Sequence, residues 1–378
     1  MQWDTATINL DDGKPARALA PVIVSASRAT DIPAFYADWF IHRLKTGYLK
    51  WKNPFNGASS YISFQQTRLI VFWSKNPRPL FPYLPYLDER MPNYYFQFTL
   101  NDYDHERLEP NVPDVQARID TFIELSERIG PSKVIWRFDP LILTKQMGVD
   151  ELLRKIETTG DQLKGHTQKL VISFADIAPY KHVRTNLTNQ SVDYLEFDEP
   201  SMLKLALGLQ QLNAKWGFTI ATCAEPLDLS AYGIKHNKCI DDDLIARLFP
   251  SDKKLMDFLG ISFAQPGLFP AAESRYLPAE SHDSIEVCST ASPHHPATFY
   301  QPTGFQYPTI QPSKAKSLKD KGQRPNCGCL VSKDIGAYHT CPHLCIYCYA
   351  NASTNTVLKN WHLHLSNPTA ETMTGETD

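Results

Sequence analysis

Three cysteines near the end of the chain have the spacing of a metal-binding loop. Cys341, Cys345 and Cys348 form a C-x3-C-x2-C pattern. Thiolates are preferred ligands of soft metals, and three of them can each hold one iron of a [4Fe-4S] cluster. The fourth iron then lacks a protein ligand and is open to a small molecule, which is a catalytic feature. The other interpretations are a structural zinc knot and a coincidental spacing.

Four further cysteines form a second candidate metal site. Two of them make a C-x-C pair, one follows the end of a predicted strand, and the fourth lies 16 residues after that one. Four thiols can complete a second [4Fe-4S] cluster or a tetrahedral zinc site, although buried cysteines are often simply small core residues. The four are Cys223, Cys239, Cys327 and Cys329.

Strands that alternate with helices must position these thiols. Short apolar segments typical of buried strands alternate with amphipathic segments of 10 to 18 residues, which predicts an α/β fold with parallel strands and right-handed crossovers. The carboxyl ends of parallel strands meet at one edge of the sheet, so polar residues there converge. Predicted strands are 21–25, 69–73, 94–100, 134–138, 170–174 and 218–222, and predicted helices are 34–44, 115–129, 149–163 and 199–216.

Polar residues follow several of these strands. Ser25, Ser27 and Asp31 lie at the end of the first, and Lys75 lies at the end of the second. Arg137 and Asp139 flank one residue of a strand and therefore share a face, which favours a buried ion pair.

The cysteine loop resembles that of the radical S-adenosylmethionine (SAM) enzymes. An aromatic residue precedes the last cysteine, and residues 347–350 (YCYA) resemble the form found in the spore photoproduct lyase-like branch. The segments 30–33 (TDIP), 74–77 (SKNP) and 108–110 (LEP), the last followed by Arg118, are similar to elements of that branch. Residues 323–351 resemble the C-terminal block of an uncharacterised group known only as a domain of unknown function.

This resemblance implies a partial (β/α) TIM-like barrel. In radical SAM enzymes the cluster loop follows the first strand, so a C-terminal loop implies circular permutation of the barrel. About 85 residues separate Ile240 from Cys327, which is ample length to cross the open side of a small barrel. The expected organisation is an N-terminal extension (1–20), the barrel core (21–262), an irregular Pro/Ser/His-rich insertion (263–322), a cluster-binding segment (323–360) and a polar tail (361–378).

The resemblance also implies an activity. SAM is expected to bind the open iron and to be cleaved reductively to a 5′-deoxyadenosyl radical, which abstracts hydrogen from an unidentified substrate. Lys75 is the candidate partner of the SAM carboxylate. Ser25, Ser27 and Asp31 are candidates for its amino group or ribose, and Tyr347 is a further cofactor-binding candidate. The expected partner is a flavodoxin- or ferredoxin-like electron donor. The alternatives are a non-catalytic iron-sulfur or zinc metalloprotein that binds a partner, and a SAM-cleaving lyase that forms no radical.

Composition narrows these options only in part. The net charge of −3 offers no general attraction for phosphate backbones, which weakens the case for a nucleic-acid substrate without excluding one. A small molecule or a peptide is at least as compatible with this charge. The N-terminal residues contain no apolar export signal, and no apolar run approaches 18 residues, which predicts a cytoplasmic protein without a membrane span. Reduced thiols are expected there. Cys288 is predicted to be a plain thiol, and His294, His295, His362 and His364 are predicted to be solvated.

Overall fold

The computed structural model describes residues 3–262, 311–312 and 318–376. The chain divides into two compact units, one formed by Met1–Leu259 with Lys316–Asp378 and the other by Gly260–Ala315. In the second unit, a short strand at Ile261–Ser262 pairs with another at Gln311–Pro312. The predicted sites Cys288, His294 and His295 lie outside the described residues.

The secondary structure of the described residues alternates between strands and helices. The strands are β1 (Thr5–Asn9), β2 (Pro15–Leu19), β3 (Ile23–Ala26), β4 (Tyr48–Lys52), β5 (Ser59–Ser63), β6 (Leu69–Ser74), β7 (Tyr94–Thr99), β8 (Val134–Leu141), β9 (Leu143–Thr144), β10 (Lys169–Phe174), β11 (Tyr194–Leu195), β12 (Thr219–Thr222), β13 (Lys235–His236), β14 (Ile261–Ser262), β15 (Gln311–Pro312) and β16 (Lys333–Asp334). The helices are α1 (Ile32–Phe35), α2 (Ala37–Thr46), α3 (Leu84–Arg90), α4 (Val115–Ile129), α5 (Val149–Leu163), α6 (Lys181–Asn189), α7 (Glu199–Trp216), α8 (Asp242–Leu248), α9 (Lys253–Leu259) and α10 (Thr354–Ser366).

The larger sheet confirms the predicted α/β class. Among the described residues it has eight strands in the order β13-β12-β10-β8-β7-β6-β3-β16, and every neighbouring pair is parallel. From β3 to β13, sheet order follows chain order. β16 comes from the C-terminal segment and pairs with β3 at the edge. No hydrogen-bonded strand pair in the described residues joins the two edges, so closure into a barrel is not seen.

The local sequence explains why the long helices begin and end where they do. The side chain of Asp114 caps α4, and that of Asp198 caps α7 and completes a capping box with Ser201. Gly217 ends α7 with a φ of 72°, a left-handed conformation that favours glycine. The predicted bounds of α4, α5 and α7 agree with the structure.

A second sheet was not predicted from the sequence. Its order is β1-β2-β5-β4, so the predicted N-terminal extension forms two strands beside a hairpin of β4 and β5. The predicted boundary of the polar tail at residue 360 falls within α10. The segment after α10 folds back against α2, where the Trp39 indole donates to the Ala370 carbonyl. Met373, in the same segment, is buried.

The main core lies between the sheet and its helices. In β7, Tyr94, Phe96 and Phe98 alternate with Tyr95 and Gln97, and only the first three belong to that core. Tyr95 and Gln97 point to the other face, where both donate to the Cys239 carbonyl. This second face of the sheet therefore carries polar side chains and contacts the segment that contains Cys239. None of the helices in the described part of the chain has the length and apolar character needed to cross a bilayer.

Candidate metal and cofactor site

The cluster loop, which we define as residues 340–351, lies against residues that follow strands β3, β6 and β7. The Tyr36 hydroxyl donates to the Thr340 carbonyl (2.6 Å), and the Asn351 side chain donates across the loop to the Cys341 carbonyl (2.9 Å). The backbone N–H of Ile346 donates to the Leu108 carbonyl (2.9 Å). These bonds fix the loop by its backbone, which leaves the cysteine side chains available for other partners.

Asp31 and His343 join the cluster loop to the strand ends. The buried Asp31 carboxylate accepts from the Ser74 hydroxyl (2.7 Å), from the Lys75 backbone N–H (2.7 Å) and from His343 Nε2 (2.9 Å). Burial opposes ionisation, but the hydrogen bond from His343 and the other donors outweigh it and lower the pKa of Asp31. Asp31 therefore positions the loop, and its carboxylate is already occupied.

A buried polar network lies beneath the middle of the loop. Lys75 Nζ donates to Glu109 (2.6 Å) and to the Tyr347 hydroxyl (2.9 Å), and that hydroxyl in turn donates to Glu109. The Asn101 side chain donates to both Glu109 (3.1 Å) and Tyr347 (3.0 Å). Arg118 Nη1 binds the other Glu109 oxygen at 3.0 Å. One carboxylate thus faces two cations.

The pKa shifts of the ionisable groups in this network follow from these contacts and from burial. Burial opposes ionisation of Glu109, but Lys75 and Arg118 lower its pKa to about 2. Burial opposes the charge on Lys75, but Glu109 outweighs it and raises the pKa of Lys75. Burial raises the pKa of the Tyr347 hydroxyl well above its usual value. Glu109 is therefore an anion between two cations, beside a neutral phenol, and Arg118 also pairs with Asp104 at 3.0 Å.

The three thiols of the loop lie close enough to influence one another. Burial raises the pKa of Cys345 well above its usual value, and Cys341 and Cys348 raise it further, whereas Lys75 opposes them. Burial also raises the pKa of Cys341 to about 12. The only group of three or more metal-ligating side chains within 4.8 Å in the described residues is the acidic run 241–243, so the three sulfurs are not gathered that tightly. Sulfurs bound to one tetrahedral zinc lie about 3.8 Å apart, given a Zn–S bond of about 2.3 Å.

The other predicted cofactor residues lie beside the loop with partners of their own. The Ser25 hydroxyl donates to the Asp334 carboxylate (2.8 Å), and the Ser27 hydroxyl accepts from the Ala29 N–H (2.9 Å). Both serines are buried. Together with Lys75 and Asp31, they form a largely buried group of polar side chains whose hydrogen bonds are made within the protein.

The second group of four cysteines, predicted from the sequence, also comes together. Three of these cysteines form one buried cluster, the fourth packs against it, and its Sγ lies 3.6 Å from one of theirs. The cluster consists of Cys239, Cys327 and Cys329, with Cys223 against it.

Arg137 and Asp139 form the ion pair predicted from the strand pattern.

The histidines of the last helix differ from one another. His362 is exposed, as predicted. His364 is buried, which corrects the prediction of a solvated side chain: its ring stacks on Trp361, and Nδ1 lies 3.0 Å from the Met373 carbonyl oxygen. The residues after α10 fold back and cover it.

Sequence reasoning missed part of this site. His343 lies between two of the cysteines, but only its contact with Asp31 shows its role. Asn111 was also missed, although its side chain donates to the Pro342 carbonyl (2.9 Å). Glu109 and Arg118 were noted only as motif residues. No local signal in the sequence identifies partners that lie hundreds of positions away.

Comparison with known proteins assigns the chain to a family. The family model described as a domain of unknown function (DUF1848) matches residues 23–260 and 280–350, which include both cysteine groups. No curated protein and no solved structure matches the chain significantly. The match covers most of the sequence, and the chain therefore belongs to the DUF1848 family.

Proposed function

We propose that this protein is a radical SAM-type enzyme in which Cys341, Cys345 and Cys348 hold a [4Fe-4S] cluster. The observation that carries the proposal is the position of the cluster loop: its three thiols, one buried and two half-buried, lie near residues that follow parallel strands, next to a polar network. Ligands at this edge of a parallel sheet are the general rule in α/β proteins.

The donor set fits a cluster better than a single zinc ion. The loop offers three thiols, whereas a structural zinc site takes four protein ligands. In a [4Fe-4S] cluster each of three thiolates would bind a separate iron, and the fourth iron would stay open to a small molecule. Held by Cys341, Cys345 and Cys348, such a cluster would supply the electron for reductive cleavage of SAM, the chemistry by which radical SAM enzymes abstract hydrogen from a substrate.

Residues of the chain provide charge and support for such a cofactor. Burial raises the pKa of Cys345, and the nearby ammonium group of Lys75 is the largest influence that opposes this rise. The positive φ of Leu344 (55°) turns the chain between the first two cysteines, a conformation that costs about 1 kcal/mol and persists only where the surrounding structure fixes it. His343 and Asp31 supply that constraint.

We extend the proposal to a permuted barrel, in which the first βα unit would lie at the C-terminus. β16 precedes the cluster loop and α10 follows it, which makes one βα unit. That unit lies beside β3, at the position that comes before the first N-terminal strand in sheet order. A radical SAM barrel with its first unit moved to the C-terminus has this order.

An exposed aromatic group gives the proposed cofactor a second surface. Tyr349 is 51% exposed, and its ring lies 6.4 Å from those of Tyr180 and Tyr338. Aromatic faces stack well on purine bases. We therefore assign this group as the candidate contact for the adenine of SAM.

The test is an anaerobic assay on chain reconstituted with iron and sulfide. Dithionite replaces the flavodoxin- or ferredoxin-like electron donor, and 5′-deoxyadenosine is measured after SAM is added. The expected result is SAM-dependent 5′-deoxyadenosine from the wild type and only background from Cys345→Ser. Cys288→Ser makes the same chemical change outside the proposed ligands and should retain activity.

Two other outcomes would refute the proposal. A fully loaded chain that yields no nucleoside product would favour the non-catalytic metalloprotein. A cleavage product other than 5′-deoxyadenosine would indicate a lyase that forms no radical. Tyr347→Phe removes only the hydroxyl that Lys75, Asn101 and Glu109 share, and it should lower turnover because Lys75, the proposed partner of the SAM carboxylate, loses a contact.

A further inference from the structure

The second thiol cluster, which we define as Cys223, Cys239, Cys327 and Cys329, brings together distant parts of the chain. Cys223 directly follows β12, and Cys239 lies three residues after β13. Cys327 and Cys329 come from the segment before β16. Cys239 and Cys329 are each 3% exposed, and Cys327 is 6% exposed. Four thiols in one buried place exceed what packing requires.

N–H donors point at these sulfurs. Arg137 Nη1 and the Asn237 side-chain amide each lie 3.1 Å from Cys239 Sγ. The backbone N–H of Cys239 lies 3.2 Å from Cys329 Sγ. A neutral thiol is a weak acceptor, whereas an ionised sulfur forms strong charge-assisted bonds. Buried donors of this kind are the usual outer partners of metal-bound ligands.

Two buried donors beside the cluster have no hydrogen-bond partner. They are Arg28 Nη2 and Trp73 Nε1. The Arg28 guanidinium lies over the Trp73 ring at 5.0 Å, and Arg137 lies over the same ring at 5.3 Å. Trp73 packs against the thiol cluster. An unpaired buried donor costs about 1–3 kcal/mol, so these groups indicate an anionic centre near them.

We propose that the second thiol cluster binds a single zinc ion in tetrahedral coordination. The Cys223 and Cys239 sulfurs are 3.6 Å apart, close to the edge of about 3.8 Å that four Zn–S bonds of about 2.3 Å produce. Thiolates bound to separate irons of a cluster lie further apart. No three of the four sulfurs lie within 4.8 Å of one another, so binding draws the Cys327–Cys329 turn inward.

Charge balance supports the same assignment. Zinc with four thiolates carries two negative charges, and three arginines lie near the cluster, two of which also pair with a carboxylate, Arg137 with Asp139 and Arg28 with Asp334. Arg28 interacts with Cys239 and Cys329, Arg137 with Cys239, and Arg324 with Cys223 and Cys327. The ion would thus lie near cations that offset part of its excess charge, since an uncompensated buried charge is strongly unfavourable.

The site would hold the C-terminal segment to the far end of the sheet. The Leu330 N–H donates to the Ile240 carbonyl (3.0 Å), which is the backbone contact next to the thiols. A few residues later, β16 pairs with β3. Zinc here would close a loop of about 90 residues between Cys239 and Cys327, and clips that close long loops stabilise most. This role does not depend on the proposed function.

The test uses the full chain with the cluster loop disabled by C341S/C345S/C348S. Metal analysis of this triple variant should give about one zinc per chain and no iron. Adding C327S/C329S to it should lower the zinc content per chain at least tenfold. Cobalt loading of the triple variant should give the visible bands of a tetrahedral tetrathiolate, and X-ray absorption should give four sulfur neighbours at about 2.3 Å.

Two results would overturn the assignment. One is a triple variant that holds iron with sulfide and no zinc, which would indicate a second cluster. The other is a folded triple variant that binds neither zinc nor cobalt. The cobalt and X-ray measurements need only the triple variant, so the test stands even if C327S/C329S prevents folding. Because the triple variant lacks the proposed catalytic site, failure here is distinct from failure of the radical SAM assay.

Discussion

Replacing Glu109 with glutamine tests the buried network under the cluster loop. The change keeps the shape of the side chain but removes its charge. Lys75 and Arg118 then remain buried, with 15% and 1% of their side chains exposed, without the carboxylate that both contact. We expect a large loss of stability at neutral pH.

The magnitude follows from the pKa of Glu109. A fall from 4.5 to about 2 corresponds to about 3 kcal/mol of preference for the charged form. Removing one partner of a buried ion pair typically costs about 3–5 kcal/mol. The two figures agree, so Glu109→Gln should lower the free energy of unfolding by about 3 kcal/mol at pH 7.

The pH dependence has a defined sign. The folded-state pKa of Glu109 lies below its unfolded value, so its stabilisation is full above pH 4.5 or so and is lost as pH falls toward about 2. Glutamine does not titrate in this range. The difference in the free energy of unfolding between wild type and variant should therefore shrink by about 1.4 kcal/mol between pH 7 and about pH 3.5.

Denaturant unfolding of the wild type and the variant, both prepared anaerobically without metal, measures this difference. Glu157→Gln is the matched control, because Glu157 pairs with Lys215 at 2.7 Å with both side chains about 40% exposed. Exposed pairs contribute about 0–1 kcal/mol, so the control should change little at either pH. A loss below 1 kcal/mol for Glu109→Gln, or a difference that does not vary with pH, would refute the reasoning.

Three further predictions address the loop, the core and a helix end. Asp31→Asn weakens its bond to His343, so hydrogen exchange of the cluster loop should speed up at least tenfold, corresponding to the 1.5–3 kcal/mol or so of a charged hydrogen bond; unchanged exchange would contradict the positioning role. Phe96→Ala empties a fully buried site in β7 and should cost about 3–5 kcal/mol by denaturant unfolding. Gly217→Ala forces alanine into a φ of 72° and should lower stability by about 1 kcal/mol, whereas Gly148→Ala, with no positive φ and open space around it, should cost less; equal losses would contradict the strain argument.

Much of the fold could be predicted because its signals are local. The apolar periodicities of α4, α5 and α7 and the apolar runs of β6 and β7 lie within single elements. The second sheet could not be predicted, since β1 and β2 carry weak alternation and gain their stability from pairing with the hairpin of β4 and β5. Barrel closure likewise depends on how far a sheet curls, which no local pattern encodes.

The candidate sites divide in the same way. The sequence by itself determined the ligand chemistry: the spacing of Cys341, Cys345 and Cys348 is a property of one short loop. Only the tertiary structure decided the neighbours, because Asp31 meets His343 and Cys239 meets Cys329 across long stretches of chain. Residue type and spacing fix which atoms can bind a metal, whereas burial, charge and hydrogen bonding depend on contacts that exist only once the sheet has brought distant strand ends together.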